Sequence, residues 1–238
     1  MQLLSFDIEI SDVFELKKYE DIEKYAPFHI SVASTAIHGG EEKLWYSLRS
    51  DGTPLDTIES NRAREMLFYL QDMQAKDYMV CAWNGLQFDL RWLGFAAEDA
   101  ELAANVALKS YDPMFQFFNQ CGFPVALAAV GSAMGIKQEK LMHGSEAPVR
   151  WQQGRYTEVM EYVLMDARIT NEIALAIMQR WAVSWVTTKK IIKSIPMIRL
   201  KTVEEVIREP MADQSWMSTP LPKNSFYRWF PEHLKIKG

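Results

Sequence analysis

Residues 2–10 read Gln2-Leu3-Leu4-Ser5-Phe6-Asp7-Ile8-Glu9-Ile10, an alternating run that predicts a strand. On a strand Asp7 and Glu9, two apart, leave the same face. Side-by-side carboxylates repel one another in a sheet, and burial strips each of its hydration. A shared cation reverses the sign of that interaction. Taken alone, an Asp-x-Glu pair reads more often as two solvent-facing acids.

The pattern around this strand predicts an α/β architecture. His29–Ala36 and Lys43–Leu48 are β-rich, and His38-Gly39-Gly40 between them supplies the turn of an antiparallel hairpin. The charged insert from Ser11 to Pro27 reads as a surface excursion with some helix. Ala63, Met66, Leu67 and Leu70 recur at helical spacing over Asn61–Lys76. Tyr78–Trp83 is apolar on both faces, as a parallel strand should be. Helical patterns then run from Asp89 to about Ala107 and over Val125–Met134, the latter opened by Pro124 and closed by Gly135. Lys137–Gly154 reads as a polar loop. Tyr156–Trp181 is the longest helical signal, with no Gly or Pro inside it. Two or three short strands around Pro196 follow. The end, with Pro210, Pro220, Pro222 and Pro231, reads as extended chain or loop.

Two further acids stand at informative places. Asp89 closes Trp83-Asn84-Gly85-Leu86-Gln87-Phe88-Asp89, where a strand gives way to a helix, the end of an α/β sheet at which ligands collect. A helix N-cap is the competing role for Asp89. Asn84 can donate to a phosphate or sugar oxygen. Phe88 offers a stacking face or serves as a core aromatic. Tyr162 and Asp166 are four apart and share a helical face. They form either a structural pair or a metal ligand with a water-positioning phenol.

The three motifs together, Asp7-Ile8-Glu9, then Asn84 to Asp89, then Tyr162 to Asp166, resemble the exonuclease motifs of the DEDD superfamily of 3′–5′ exonucleases, in its tyrosine-containing branch. Motifs one and two look most like the proofreading exonuclease domain of family B DNA polymerases. The resemblance implies a ribonuclease H-like fold over residues 1–182, a mixed five-stranded sheet flanked by helices. Residues 183–238 would be a basic C-terminal extension of short strands and a tail packed on the domain. That leaves no room for a polymerase, so the resemblance implies a stand-alone exonuclease. The histidine that other superfamily members place five residues before the last Asp is replaced by Glu161.

By resemblance, Asp7, Glu9, Asp89, Tyr162 and Asp166 are catalytic. Asp7, Glu9 and Asp166 would hold one cation, and Asp7 would bridge to a second that Asp89 supports. All-oxygen ligation favours two Mg²⁺ or Mn²⁺ ions. Ile8, Ile10, Asn84 and Phe88 are the candidate substrate contacts, although Ile10 reads equally as core. The implied reaction releases nucleoside 5′-monophosphates from the 3′ end of single-stranded DNA. Replication or repair proteins are the implied partners. An exoribonuclease is the alternative enzyme, since sugar preference rests on contacts to the 2′-OH. A non-catalytic polymerase accessory module is the alternative outside enzymes.

Bulk composition narrows the field. The chain has 238 residues and is 48% hydrophobic, which suffices for one large domain with a sizeable core. Two cysteines, Cys81 and Cys121, and four scattered histidines lack zinc-site spacing. No phosphate-binding glycine loop or serine-nucleophile motif is present. No signal peptide or membrane-length apolar run is apparent, so an intracellular, cytoplasmic protein without membrane contact is expected. The net charge of −5 is unevenly placed. Residues 183–238 hold ten basic and five acidic residues, leaving sixteen basic and twenty-six acidic residues elsewhere. A basic end on an acidic body suggests a polyanion contact or a solvated basic face. Lys189, Lys190 and Lys193 are the phosphate-contact candidates, with Trp185 or Trp229 to stack.

Overall fold

The strand Gln2–Ile10 (β1) forms as predicted and is the centre of the molecule. In the computed structural model, which describes residues 2–15, 20–137 and 142–235, it lies between one antiparallel and one parallel neighbour. The antiparallel partner is Ile30–Ile37 (β2), with Asp7 opposite Ser34 and Glu9 opposite Val32. Glu42–Trp45 (β3) pairs outside it. After the helix Ser60–Ala75 (α1), Tyr78–Cys81 (β4) pairs parallel to β1, from Gln2 opposite Tyr78 to Ser5 opposite Cys81. The order is β3-β2-β1-β4.

The expected fifth strand is reduced to one residue. Tyr111 bridges Cys81 in parallel: its N–H donates to Val80 O at 2.8 Å, and Ala82 N–H donates to its carbonyl at 3.1 Å. The ladder stops there because Asp112 caps a helix whose first residue is Pro113, and proline has no N–H to donate. The mixed sheet therefore has four strands, not five.

Helices flank the sheet. Asp89–Ala96 (α2) and Ala100–Lys109 (α3) replace the single helix expected through Ala107. The break has Glu98 at φ 53° and Asp99 capping α3 through the N–H of Leu102. Pro113–Cys121 (α4) was not anticipated, although its Asp-Pro start and left-handed Gly122 end are standard signals. Leu127–Met134 (α5) ends at a left-handed Gly135, as expected. The predicted loop up to Gly154 instead contains a 3₁₀ turn, Gly144–Glu146, and the helix Ala147–Gln152 (α6). Six residues are too few to show a period, and α6 is fastened by buried Trp151, whose indole donates to Leu55 O at 2.9 Å. Tyr156–Arg180 (α7) matches its prediction.

Strand alternation sorts β1 into two surfaces. Leu4, Phe6, Ile8 and Ile10 join the main apolar core with α1, α2 and α3. The other face carries Ser5, Asp7 and Glu9 towards α7. Small polar groups dock that helix: Ser5 Oγ donates to Asn171 Oδ1 at 2.8 Å, Asn171 Nδ2 to Ala36 O at 2.9 Å, and Ser34 Oγ to Val163 O at 2.8 Å. Each buried bond contributes about 1 kcal/mol net.

The C-terminal part begins with an antiparallel hairpin, Ala182–Val186 (β5) and Ile192–Pro196 (β6). A short helix follows, Val203–Arg208 (α8), opened by a Thr202/Glu205 capping box. The tail then returns to the body. Fully buried Phe226 packs on Phe115 and Phe118, with ring centroids 5.1 and 4.5 Å away. Burying such a ring stabilises by about 1.5–3 kcal/mol. Among the described residues, no helix is long and apolar enough to cross a membrane.

Candidate metal centre

Asp7 and Glu9 point at α7 because β1 presents its odd positions there, and Asp166 points back from the facing turn of that helix. One carboxylate oxygen from each of the three lies within 4.8 Å of the others. Glu9 is buried; Asp7 and Asp166 are partly so. A single hard cation can bridge such a set, since Mg²⁺ and Mn²⁺ take carboxylate oxygens. The donor chemistry fits the divalent ions that the sequence motifs imply.

Asp89 stands outside that set of three but close enough to act on it. It is buried at the first residue of α2, so it is not the helix N-cap, which is Phe88. Its carboxylate accepts from its own N–H and from that of Ile8. Ile8 lies beyond the last β1–β4 pair, Ser5 with Cys81, so the side chain takes the place of a missing strand partner.

The electrostatics are those of a site built for a positive guest. Burial raises Asp7 well above the usual carboxylate range, and the charges of Asp89, Asp166 and Glu9 raise it further. Glu9 is raised by burial and then by Asp166 and Asp89. Burial pushes Asp89 up to about 7. Asp166 is also raised by burial, with the Tyr162 phenol donating to it and pulling the other way. Tyr162 itself is raised by burial and by the acids, so it stays a protonated donor. Without a cation, burial and mutual repulsion both favour the protonated form of these carboxyls.

Two clefts reach the acids, one at Glu9 and one at Asp166, and share Gly144. One, of about 680 Å³, is lined by Ile8, Glu9, Ile10, Phe14, Phe88 and Gly144 among others. The second, of about 560 Å³, has Tyr162, Met165, Asp166, Ile169, the Ala126–Ala128 segment and again Gly144. Ile8, Ile10 and Phe88 thus border a space beside Glu9. Asn84 lines neither. It sits at φ 66°, its backbone N–H donates to Asp112 Oδ1 at 3.1 Å, and its buried Oδ1 finds no donor among the described residues. Gly85 beside it has no room for a side chain: a Cβ would meet that of Ala82 at 2.5 Å.

Glu161, where the sequence resemblance would put a histidine, is exposed and pairs with Arg168 at 2.6 Å, so it is surface structure. Trp185 is buried against Phe117, centroids 4.9 Å apart, and is closed to a ligand. Trp229 is half-buried and donates to Leu86 O at 2.8 Å, which ties the tail to the turn that carries Asp89.

One important residue was missed. Buried Asp112 accepts from the N–H groups of Asn84 and Leu86 at 3.1 and 3.0 Å and from Phe115 N–H at 3.0 Å. It joins the Asn84–Asp89 turn to the start of α4, and burial pushes it up to about 6. The Asp112-Pro113 pair signalled a helix start, but no local pattern signalled its second partner.

No family model and no curated protein matches the chain. A solved structure of the family B DNA polymerase from the hyperthermophilic archaeon Pyrobaculum calidifontis is similar, with a TM-score of 0.48 and 16% identity, covering 75% of this chain and 24% of that one. The similarity thus spans about a quarter of that polymerase's length.

Proposed function

We propose that this chain is a metal-dependent 3′–5′ exonuclease acting on single-stranded DNA. The observation that carries the reading is the convergence of Asp7, Glu9 and Asp166 oxygens within 4.8 Å, with Tyr162 hydrogen-bonded to Asp166 and a cleft opening at Glu9 and another at Asp166. Bound divalent cations supply charge neutralisation and water activation for phosphodiester displacement.

The chain's own residues account for the rest. Asp7, Glu9 and Asp166 hold the cations, and Asp89 adds charge from the sheet's edge while fixing the Ile8 backbone. Tyr162 keeps its proton on the hydrogen bond to Asp166 and orients the attacking water by accepting a hydrogen bond from it at the phenol oxygen. Ile8, Ile10 and Phe88 receive the terminal base in the first cleft, where stacking and apolar contact are tolerant of sequence. Water adds to phosphorus, the bond to the 3′ oxygen breaks, and that oxygen takes a proton. The products are a nucleoside 5′-monophosphate and a strand shortened by one nucleotide.

The test is digestion of 5′-labelled and 3′-labelled DNA, single- and double-stranded, with matched RNA strands alongside. Stepwise shortening from the 3′ end with Mg²⁺ or Mn²⁺, stopped by chelation, is the expected result. Intact strands under all these conditions would remove the assignment.

A further inference from the structure

We infer that the β5–β6 hairpin is a second contact for the polynucleotide backbone, gripping the strand that leads away from the acid cluster. The inference rests on the nucleolytic reading for the identity of the polyanion, but its evidence is separate. From Trp181 to Ile198 the chain contains no Asp or Glu, whereas the first 182 residues hold sixteen basic and twenty-six acidic ones. Lys189, Lys190 and Lys193 are all exposed, and among the described residues none of them has an ion pair. Arg199, just beyond, is paired with Glu205 at 2.7 Å. The three lysines are thus cations held out by a two-stranded ribbon with no internal counter-charge.

The turn itself points the same way. Lys190 N–H donates to Thr187 O at 2.9 Å, Thr187 N–H to Ile191 O at 2.8 Å, and Ile191 N–H to Thr187 Oγ1 at 3.1 Å. That is a three-residue hairpin loop whose last position lies in the left-handed region, where glycine is usual. Here it is Lys190, at φ 62°. A charged side chain stands where the backbone would be better served by none.

The hairpin also lies on the correct side of the molecule. At its base Arg180 Nη2 donates to Met134 O at 2.9 Å, at the end of α5. Further along, Trp185 packs on Phe123, centroids 6.2 Å apart, just before α5 begins. The ribbon therefore runs back along α5 towards the Ala126–Ala128 segment, which lines the cleft of Tyr162 and Asp166. A strand leaving that cleft meets the tip of the hairpin. A row of phosphates matches three unpaired ammonium groups, whichever sugar the strand carries.

Two variants test this by fluorescence anisotropy on labelled oligothymidylate and oligouridylate, with chelator present so that the strand stays whole. Lys189→Gln/Lys190→Gln/Lys193→Gln should weaken binding roughly tenfold and lower the salt slope of log K by about 2, at ~0.7 per phosphate contact on single strands. Lys190→Gly should lower the slope by about 0.7 while leaving Tm unchanged or raised, which a role in folding alone would not produce. With Mn²⁺, KM on a long strand should rise about tenfold for the triple variant at unchanged kcat, and dinucleotide cleavage should not change. Equal affinity and slope in wild type and triple variant would overturn the inference. So would loss of binding to phosphatidylserine vesicles with polynucleotide binding intact. Should the wild type cleave nothing, the nucleolytic reading fails, and the anisotropy still reads the hairpin.

Discussion

The two faces of β1 differ in what they contribute to the protein. The even face, Leu4, Phe6, Ile8 and Ile10, is apolar and closed by α1 to α3. The odd face holds Ser5 against Asn171 and then two acids against a third on α7. Burial on the first face stabilises the fold. On the second it raises every carboxyl it covers. One strand thus carries stability on one side and a destabilising charge cluster on the other, and the pleat keeps them apart. Rigid apolar packing behind the strand is what can hold the acids together against their repulsion.

Breaking the apolar face should have the largest effect on stability. Phe6→Ala removes a fully buried ring and should cost about 3–5 kcal/mol, read as a lowered midpoint in urea unfolding. The opposite face should respond in the opposite sense. Asp7→Asn should reduce nuclease activity by more than the 10–100-fold typical of a mere supporting partner of a metal ligand. In chelator the same variant should melt higher than wild type, because one of the repelling charges is gone. A lower melting temperature would show that the acids are not in conflict.

The pH dependence of the metal-free protein sharpens the contrast. The raised carboxyls keep protons in the fold that the unfolded chain releases, so unfolding loses protons and stability falls as pH rises. The window opens in the ordinary carboxylate range near pH 4 and extends through about 7, where Asp89 titrates. Differential scanning in chelator should show Tm falling by several degrees across it, at roughly 2–4 °C per kcal/mol. Saturating Mn²⁺ should offset the fall, by about 2.7 kcal/mol at a hundredfold excess over Kd. The smallest effect is expected at the seam between the faces. Ser34→Ala removes the hydrogen bond to Val163 O and should cost about 1 kcal/mol.

How much could be read beforehand follows the range of the signal. β1, α1 and α7 were legible because each repeats its period several times. The hairpin of β2 and β3 was legible from its glycine turn. Helices α6 and α8, six residues each, were not, since so short a segment shows caps but no period. The fifth strand failed for a different reason: Pro113 truncates the pairing to Tyr111 alone, against the resemblance. At the site, the four acids and Tyr162 announced themselves as motifs. Asp112 did not, because its partners Asn84 and Leu86 are distant in sequence and are backbone groups that carry no residue signature.

The order of residues along the chain was enough to determine alternation on β1, hence that Asp7 and Glu9 share a face, and that Tyr162 and Asp166 share another. Only the tertiary structure decided that these faces meet within 4.8 Å while Asp89 remains just outside. It also decided that Trp185 and Trp229 pack on the body while the hairpin's lysines face outward. Periodicity is a local property of the backbone, whereas distances between elements depend on how side chains far apart in sequence pack.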